Sequence, residues 1–197
     1  RYLQWQFRRS VAAAERLIVQ TPVMRSRLTA RLGVAEGVVE VVPQPVPRHM
    51  SGTSGVPGRS AIAGCTKPIR LLFLAAYYPH KNHETLPDVV REIRRRGMDD
   101  LVQIFVTLGD QAPPQLRGAL RECSDVVTDL GRLDPATIAD VFADASALFL
   151  PTLVESYGLI YLEAMAAARP ILTSDRDFAR WMCGAAARYF DPLDPVS

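Results

Sequence analysis

Along this chain, short unbroken apolar runs alternate with stretches in which apolar residues recur every three or four positions, the first reading as buried strands and the second as helices. Leu3, Phe7, Val11 and Ala14 form one apolar stripe, so a helix is predicted over 2–14. A short strand follows at 17–20. Thr21 can cap the next helix, with Pro22 at its first position, and Gly33 closes it after residue 32. Another strand is expected at 38–42, ahead of Pro43, Pro45 and Pro47. Residues 48–66 show no periodicity and are rich in Gly and Ser, which predicts a flexible linker. From Pro68 the alternation becomes regular. Strands are expected at 69–75, 101–108, 126–130, 147–150, 171–173 and 188–190, and the helices between them at 84–96, 114–122, 136–145, from the residues after Gly158 up to Pro170, and at 178–182. Strands apolar on both faces with helices between them argue an α/β fold, a doubly wound parallel sheet. The predicted division is a short α/β block over 1–47, the linker over 48–67, and the sheet domain over 68–197.

Composition narrows the class without naming a function. At 48% hydrophobic and 22% charged the 197 residues are ordinary for a globular protein. A net charge of +2 gives no argument for nucleic acid. The one dense basic run, Arg94-Arg95-Arg96 before Gly97, falls where a helix should end and complements its dipole. No apolar run reaches the roughly 20 residues that span a bilayer, and no signal-peptide pattern is present, so a soluble cytoplasmic protein is expected. Cys65, Cys123 and Cys183 are far apart and suggest neither a zinc site nor a disulfide framework. The sequence opens on Arg1, in what reads as the middle of a helix, and is therefore expected to be part of a longer chain. Tyr2, Trp5 and Phe7 beside Arg8 and Arg9 could lie on a membrane surface, but the polar side is not richly basic and a packing face is the expectation.

Chemistry concentrates between Phe149 and Ser174. Pro151 ends a strand, and a loop carrying Glu155 follows. Ser156 could cap the next helix, and Glu163 lies eight residues beyond Glu155, about 12 Å along a helix axis. Free N–H groups at a helix start, with a carboxylate at each end, suit an anion flanked by hydroxyls: the N–H groups and dipole attract phosphate, and the carboxylates accept from diols. A second loop, Tyr77-Tyr78-Pro79-His80-Lys81-Asn82-His83, leaves the same carboxyl edge of the sheet, where Lys81 could reach a phosphate.

The string from Glu155 to Glu163, with Ser-Tyr-Gly-Leu inside it and Leu-Glu-Ala-Met at its end, resembles the E-x7-E signature of retaining family-4 glycosyltransferases of the GT-B fold. The resemblance implies that 68–197 is a Rossmann-like donor domain and 1–47 the end of an N-terminal acceptor domain. It also implies transfer of a hexose from a nucleoside diphosphate sugar to an acceptor hydroxyl, with retention, in glycan assembly. Glu163 would then accept from the ribose hydroxyls and Glu155 from a sugar hydroxyl, the latter catalytic together with Lys81. Tyr157, Gly158 and Leu159 would meet the sugar and phosphate, and Lys81 would hold the diphosphate. Gly109 would lie near the sugar nucleotide, with Gly131 and Arg132 at the base pocket. The family commonly reads G-R-x-x-x-x-K where this chain has Ala75-Ala76 before Lys81, so the usual Arg is absent and either Lys81 serves without it or a base such as Arg132 replaces it. No cofactor and no metal are implied. The expected partners are the nucleotide sugar and a glycan or lipid-linked acceptor, with peripheral membrane association through the first domain at the inner face of the membrane. The alternative is a module that binds nucleotide sugars without transferring them.

Two motifs invite other readings. His80 and His83 lack a third metal ligand and read as ordinary loop and helix residues. Asp175-Arg176-Asp177 matches a metal-binding D-x-D, but Ser174 and Asp175 stand where they can cap the next helix, and capping is the expectation.

Overall fold

The computed structural model describes residues 2–50 and 55–197, and the chain divides after Pro45 into two compact units. In the first unit α1 (Tyr2–Ala13), β1 (Leu17–Val19), α2 (Pro22–Leu32) and β2 (Val39–Val41) form a parallel two-stranded piece. Thr21 caps α2 through Met24 N at 3.0 Å, and Gly33 ends the helix in the left-handed region, as the punctuation of the sequence predicts. The stripe expected to be a packing face leaves Leu3 and Phe7 exposed.

The second unit carries β3 (Ile69–Phe73), α3 (Leu86–Arg95), β4 (Val102–Val106), α4 (Pro114–Arg121), β5 (Val127–Asp129), α5 (Ile138–Asp144), β6 (Ala147–Leu150), α6 (Leu159–Ala166), β7 (Ile171–Ser174), α7 (Asp177–Cys183) and β8 (Ala187–Phe190). Its strands form one six-stranded sheet in the order β5-β4-β3-β6-β7-β8, with every neighbouring pair parallel. The doubly wound α/β sheet predicted from the alternation is thus the fold. Val102, Gln103, Ile104, Phe105 and Val106 are all buried, because helices cover both faces of a parallel sheet. The chain order reverses between β3 and β6. Doubly wound sheets open a crevice at such a point, outside the carboxyl ends of the strands. The basic run at the end of α3 is neutralised locally: Arg94 pairs with Asp125 at 2.5 Å, and Arg95 and Arg96 pair with Glu92 at 2.6 and 2.5 Å.

The stretch expected to be a linker departs from that reading. Residues 51–54 lie outside the described part, but the rest packs in the second unit, with Met50 and Ile62 buried in its core. Side-chain acceptors on α5 do the holding. Asp140 Oδ1 accepts from Val56 N at 2.7 Å, and Asp144 accepts from Gly58 N at 2.7 Å and Ser60 Oγ at 2.7 Å. Such an anchorage has no hydrophobic period, so the sequence pattern could not report it. Replacing Asp144 by alanine orphans these donors and is expected to cost about 1–2 kcal/mol of stability at pH 7. Burial raises the Asp144 carboxyl, but the Gly58 and Ser60 donors outweigh that and hold it below the usual carboxylate range. Its contribution is therefore present above about pH 4 and is lost as pH falls through the depressed folded value. Urea unfolding of both proteins should show the gap narrowing with acidification; a gap independent of pH would refute this account.

Candidate functional site

Two loops meet at the reversal point. The loop after β3 runs through a single turn of 3-10 helix, Pro79–Lys81, and then through Asn82 in the left-handed region at φ 64°. Asparagine tolerates that conformation, and here its side chain is also used: Nδ2 donates to Pro151 O at 3.1 Å and to Pro192 O at 2.8 Å. The loop after β6 returns the tie, because Leu153 N and Thr152 Oγ1 both donate to His80 O, at 2.7 and 3.0 Å. Fixed in this way, Lys81 Nζ reaches Glu155 Oε1 at 2.5 Å, with the two side chains only 18% and 9% exposed. Lys81 and Glu155, 74 positions apart in the sequence, are thereby brought into direct contact.

Directly beyond lies the start of α6. Ser156 does not cap it; the N-cap position falls on Gly158, at φ 84°, which has no side chain to cap with, and among the described residues no side chain accepts from the first turn. Gly158 has to be glycine. Besides the left-handed backbone, a Cβ there would fall 2.7 Å from the Tyr161 ring and 3.9 Å from Glu155 Cγ. Tyr161 is fully buried and shares a 2.8 Å hydrogen bond with Thr173 Oγ1, which donates to Leu150 O. Tyr157 is buried and lies 6.5 Å from the Trp181 ring. The uncapped helix start therefore faces the Lys81–Glu155 pair from a rigid support.

Glu163 lies further along α6 and is 8% exposed. Its Oε1 is 3.2 Å from His49 Nε2. Burial raises its carboxyl above the ordinary range, and His49 acts in the opposite direction. The sequence places His49 in a supposed linker, 114 positions away, and so gives no sign of this contact.

Gly109, Gly131 and Arg132 line a cleft of about 560 Å³ at the carboxyl ends of β3, β4 and β5, together with Ala75, Ala76 and Tyr78. Lys81, Glu155 and Glu163 are not part of its wall. Arg132, considered as a replacement for the missing base, is exposed. Arg117 of α4 is a wall residue that motif reading missed. It donates to Gly109 O and to Ala112 O and lies 3.7 Å from Asp129, whose Oδ1 accepts from Leu108 N and Gly131 N at 3.2 and 2.9 Å. This network shapes the turns after β4 and β5, and only the helical position of Arg117 hinted at it.

His83 is fully buried, stacked on Phe73 at 4.2 Å, with Nε2 at 3.2 Å from Ala75 O. Burial pushes its imidazole down to about 4, so it is neutral near pH 7. His80 stacks instead on Tyr78. Asp175 caps nothing: its carboxylate takes Arg180 in a two-pronged pair at 2.7 and 2.8 Å, and Asp177 Oδ1 accepts from Phe178 N. Among the described residues no group of three or more His, Cys, Asp or Glu side chains could hold a metal ion.

Comparison with known proteins agrees with this architecture. Residues 68–195 match the family model described as glycosyl transferases group 1. A D-inositol 3-phosphate glycosyltransferase of Gordonia bronchialis is 27% identical over 183 residues, covering 84% of this chain and 38% of the relative. A phosphatidyl-myo-inositol mannosyltransferase of Mycobacterium tuberculosis is 32% identical over 128 residues, covering 64% of this chain and 33% of the relative. The chain thus spans between a third and two fifths of these relatives. Among solved structures, a mutant of S. aureus TarM in complex with Fondaparinux, alpha-GlcNAc-glycerol and UDP superposes with a TM-score of 0.75 at 12% identity, over 99% of this chain and 37% of TarM, a likeness of fold.

Proposed function

The chain belongs to the glycosyl transferases group 1 family, and from that premise we propose that it is the donor-binding part of an enzyme that moves a hexose from a nucleoside diphosphate sugar to an acceptor hydroxyl, with retention of configuration and without a metal. The observation that carries the reading is the largely buried Lys81–Glu155 pair beside the uncapped start of α6, at the reversal point of the sheet. When the glycosidic bond breaks, the leaving diphosphate gains charge. An ammonium group and helix N–H groups fixed beforehand lower that barrier without reorganising. Lys81 standing between Glu155 and the diphosphate would also screen the two negative groups from each other. Glu155 then accepts from a sugar hydroxyl, and Glu163 from the ribose diol. The UDP in the TarM complex and the inositol-containing acceptors named for the relatives are consistent with a nucleotide sugar donor and a glycan or lipid-linked acceptor in cytoplasmic glycan assembly, with the acceptor half supplied by the first domain. The described part by itself is expected to bind donor and to transfer nothing, since positioning the acceptor supplies much of the rate.

A thermal-shift panel of uridine, guanosine and adenosine diphosphates and their hexose conjugates tests the donor class, since a ligand at a hundred times its Kd stabilises by about 2.7 kcal/mol. No stabilisation by any of them would end this reading. Glu163→Ala is expected to weaken the nucleotide that binds by about 1.5–3 kcal/mol, ten- to a hundredfold, while the helix persists. Unchanged affinity in calorimetry would remove Glu163 from the ribose.

A further inference from the structure

A glutamate in the middle of α6 is out of place on packing grounds. The helix, Leu159–Ala166, is otherwise uncharged, and its Tyr161, Glu163 and Ala164 are buried. A carboxylate in such a setting neutralises itself unless something compensates. The compensation comes from far away in sequence. His49 sits in a turn of 3-10 helix, Arg48–Met50, which is anchored by the buried Met50, and its Nε2 lies 3.2 Å from Glu163 Oε1. Glu163 Oε2 has no hydrogen-bond partner among the described residues, and the two side chains retain 27% and 11% exposure, so the pair is not sealed from solvent.

We propose that His49 is a positioning residue for nucleoside recognition, pinning Oε1 of Glu163 and leaving Oε2 directed to the vicinal diol of the donor's ribose. This deepens the donor-binding reading above and rests on it. Among the described residues His49 is the one charged or titratable side chain acting on Glu163; burial is the opposing influence. A carboxylate that accepts from a diol must be ionised, and a protonated imidazole keeps it so to lower pH. Nucleotide affinity therefore falls on acidification as Glu163 takes up a proton, and removing His49 moves that fall to higher pH. The effect belongs to the diol, so a nucleotide with one hydroxyl fewer should feel it less.

The test is calorimetric binding of uridine and guanosine diphosphates, and of their 2′-deoxy counterparts, to the 197-residue chain between pH 5 and 8, for wild type, His49→Ala and His49→Gln. Expected for His49→Ala is a loss of about tenfold for the ribonucleotide near pH 6, narrowing by pH 8, with a smaller loss for the deoxynucleotide. His49→Gln can keep a hydrogen bond but not a charge, so it should hold affinity at pH 8 and still show the shifted acid limb; it also carries the test should the alanine variant not fold. Identical pH profiles in all three proteins, or equal losses for ribo and deoxy ligands, overturn the assignment of His49 while donor binding stands. A wild type that binds none of the uridine, guanosine and adenosine diphosphates or their hexose conjugates at any pH overturns both readings.

Discussion

Replacing Lys81 by methionine, which keeps the length of the stem and removes the charge, is expected to destabilise the fold by about 3 kcal/mol and to weaken nucleoside diphosphate binding more than monophosphate binding. The first effect follows from the geometry. Glu155 is 9% exposed and takes Lys81 at 2.5 Å, and taking away one partner of a largely buried pair leaves a charge out of water without compensation. Removing both partners is milder, so Lys81→Met combined with Glu155→Gln should recover much of the lost stability in chemical denaturation. The second effect follows from charge: a diphosphate presents more of it to Lys81 than a monophosphate, and binding should weaken with added salt. Equal losses for the two nucleotides would move the phosphate contact elsewhere, with Arg117 and Arg132 on the cleft wall as the next residues to change. A double variant no more stable than Lys81→Met would show that the pair is not the unit described here.

Gly158→Ala should be about as damaging, by another route. A left-handed backbone costs an L-residue roughly 1–2 kcal/mol, and overpacking adds roughly 1–3 kcal/mol. At φ 84° the new methyl would meet the Tyr161 ring at 2.7 Å. That ring cannot easily yield, because it is fully buried and hydrogen-bonded to Thr173. The start of α6 should shift away from Glu155, so nucleotide binding is expected to fall together with thermal stability. A variant with wild-type melting and affinity would mean that this helix start tolerates rearrangement and is not the rigid support inferred for the site.

The contrast between what the sequence discloses and what it conceals is physical. Helices and strands were legible where apolar period and Pro or Gly punctuation agree, as at Thr21, Pro22 and Gly33 around α2 or at Pro151 after β6. The six strands of the sheet follow from the same agreement. The E-x7-E string set the spacing of Glu155 and Glu163, and the loop after the first sheet strand put Lys81 at the same edge, but the direct contact between Lys81 and Glu155 was not legible. Hydrogen bonds between distant side chains leave no period. His49 on Glu163, Asn82 on Pro151 and Asp144 on Gly58 are of that kind, and the first and the last of them help turn the supposed linker into part of the second unit. Ser156 and Asp175 failed as caps because a cap is decided by backbone angles and by competing partners: Gly158 takes the left-handed entry, and Arg180 claims Asp175.

The pairing of β3 with β6 also bears on how the molecule comes into being. Leu71 lies beside Ala147 and Leu72 beside Leu148, whereas β3 to β4 and β6 to β7 are joined by single crossovers. Closing the longer loop costs more entropy, and parallel pairs formed across it are slow to nucleate. The two halves of the sheet can therefore gain structure before they dock on each other, and docking is the step that brings Lys81 to Glu155. A nucleotide finds its contacts divided between the halves, Lys81 in one and Glu155, Glu163 and the start of α6 in the other, so it should slow unfolding without speeding the early stages of folding, and amides near the seam should be protected from hydrogen exchange in its presence as late-formed, globally opening sites.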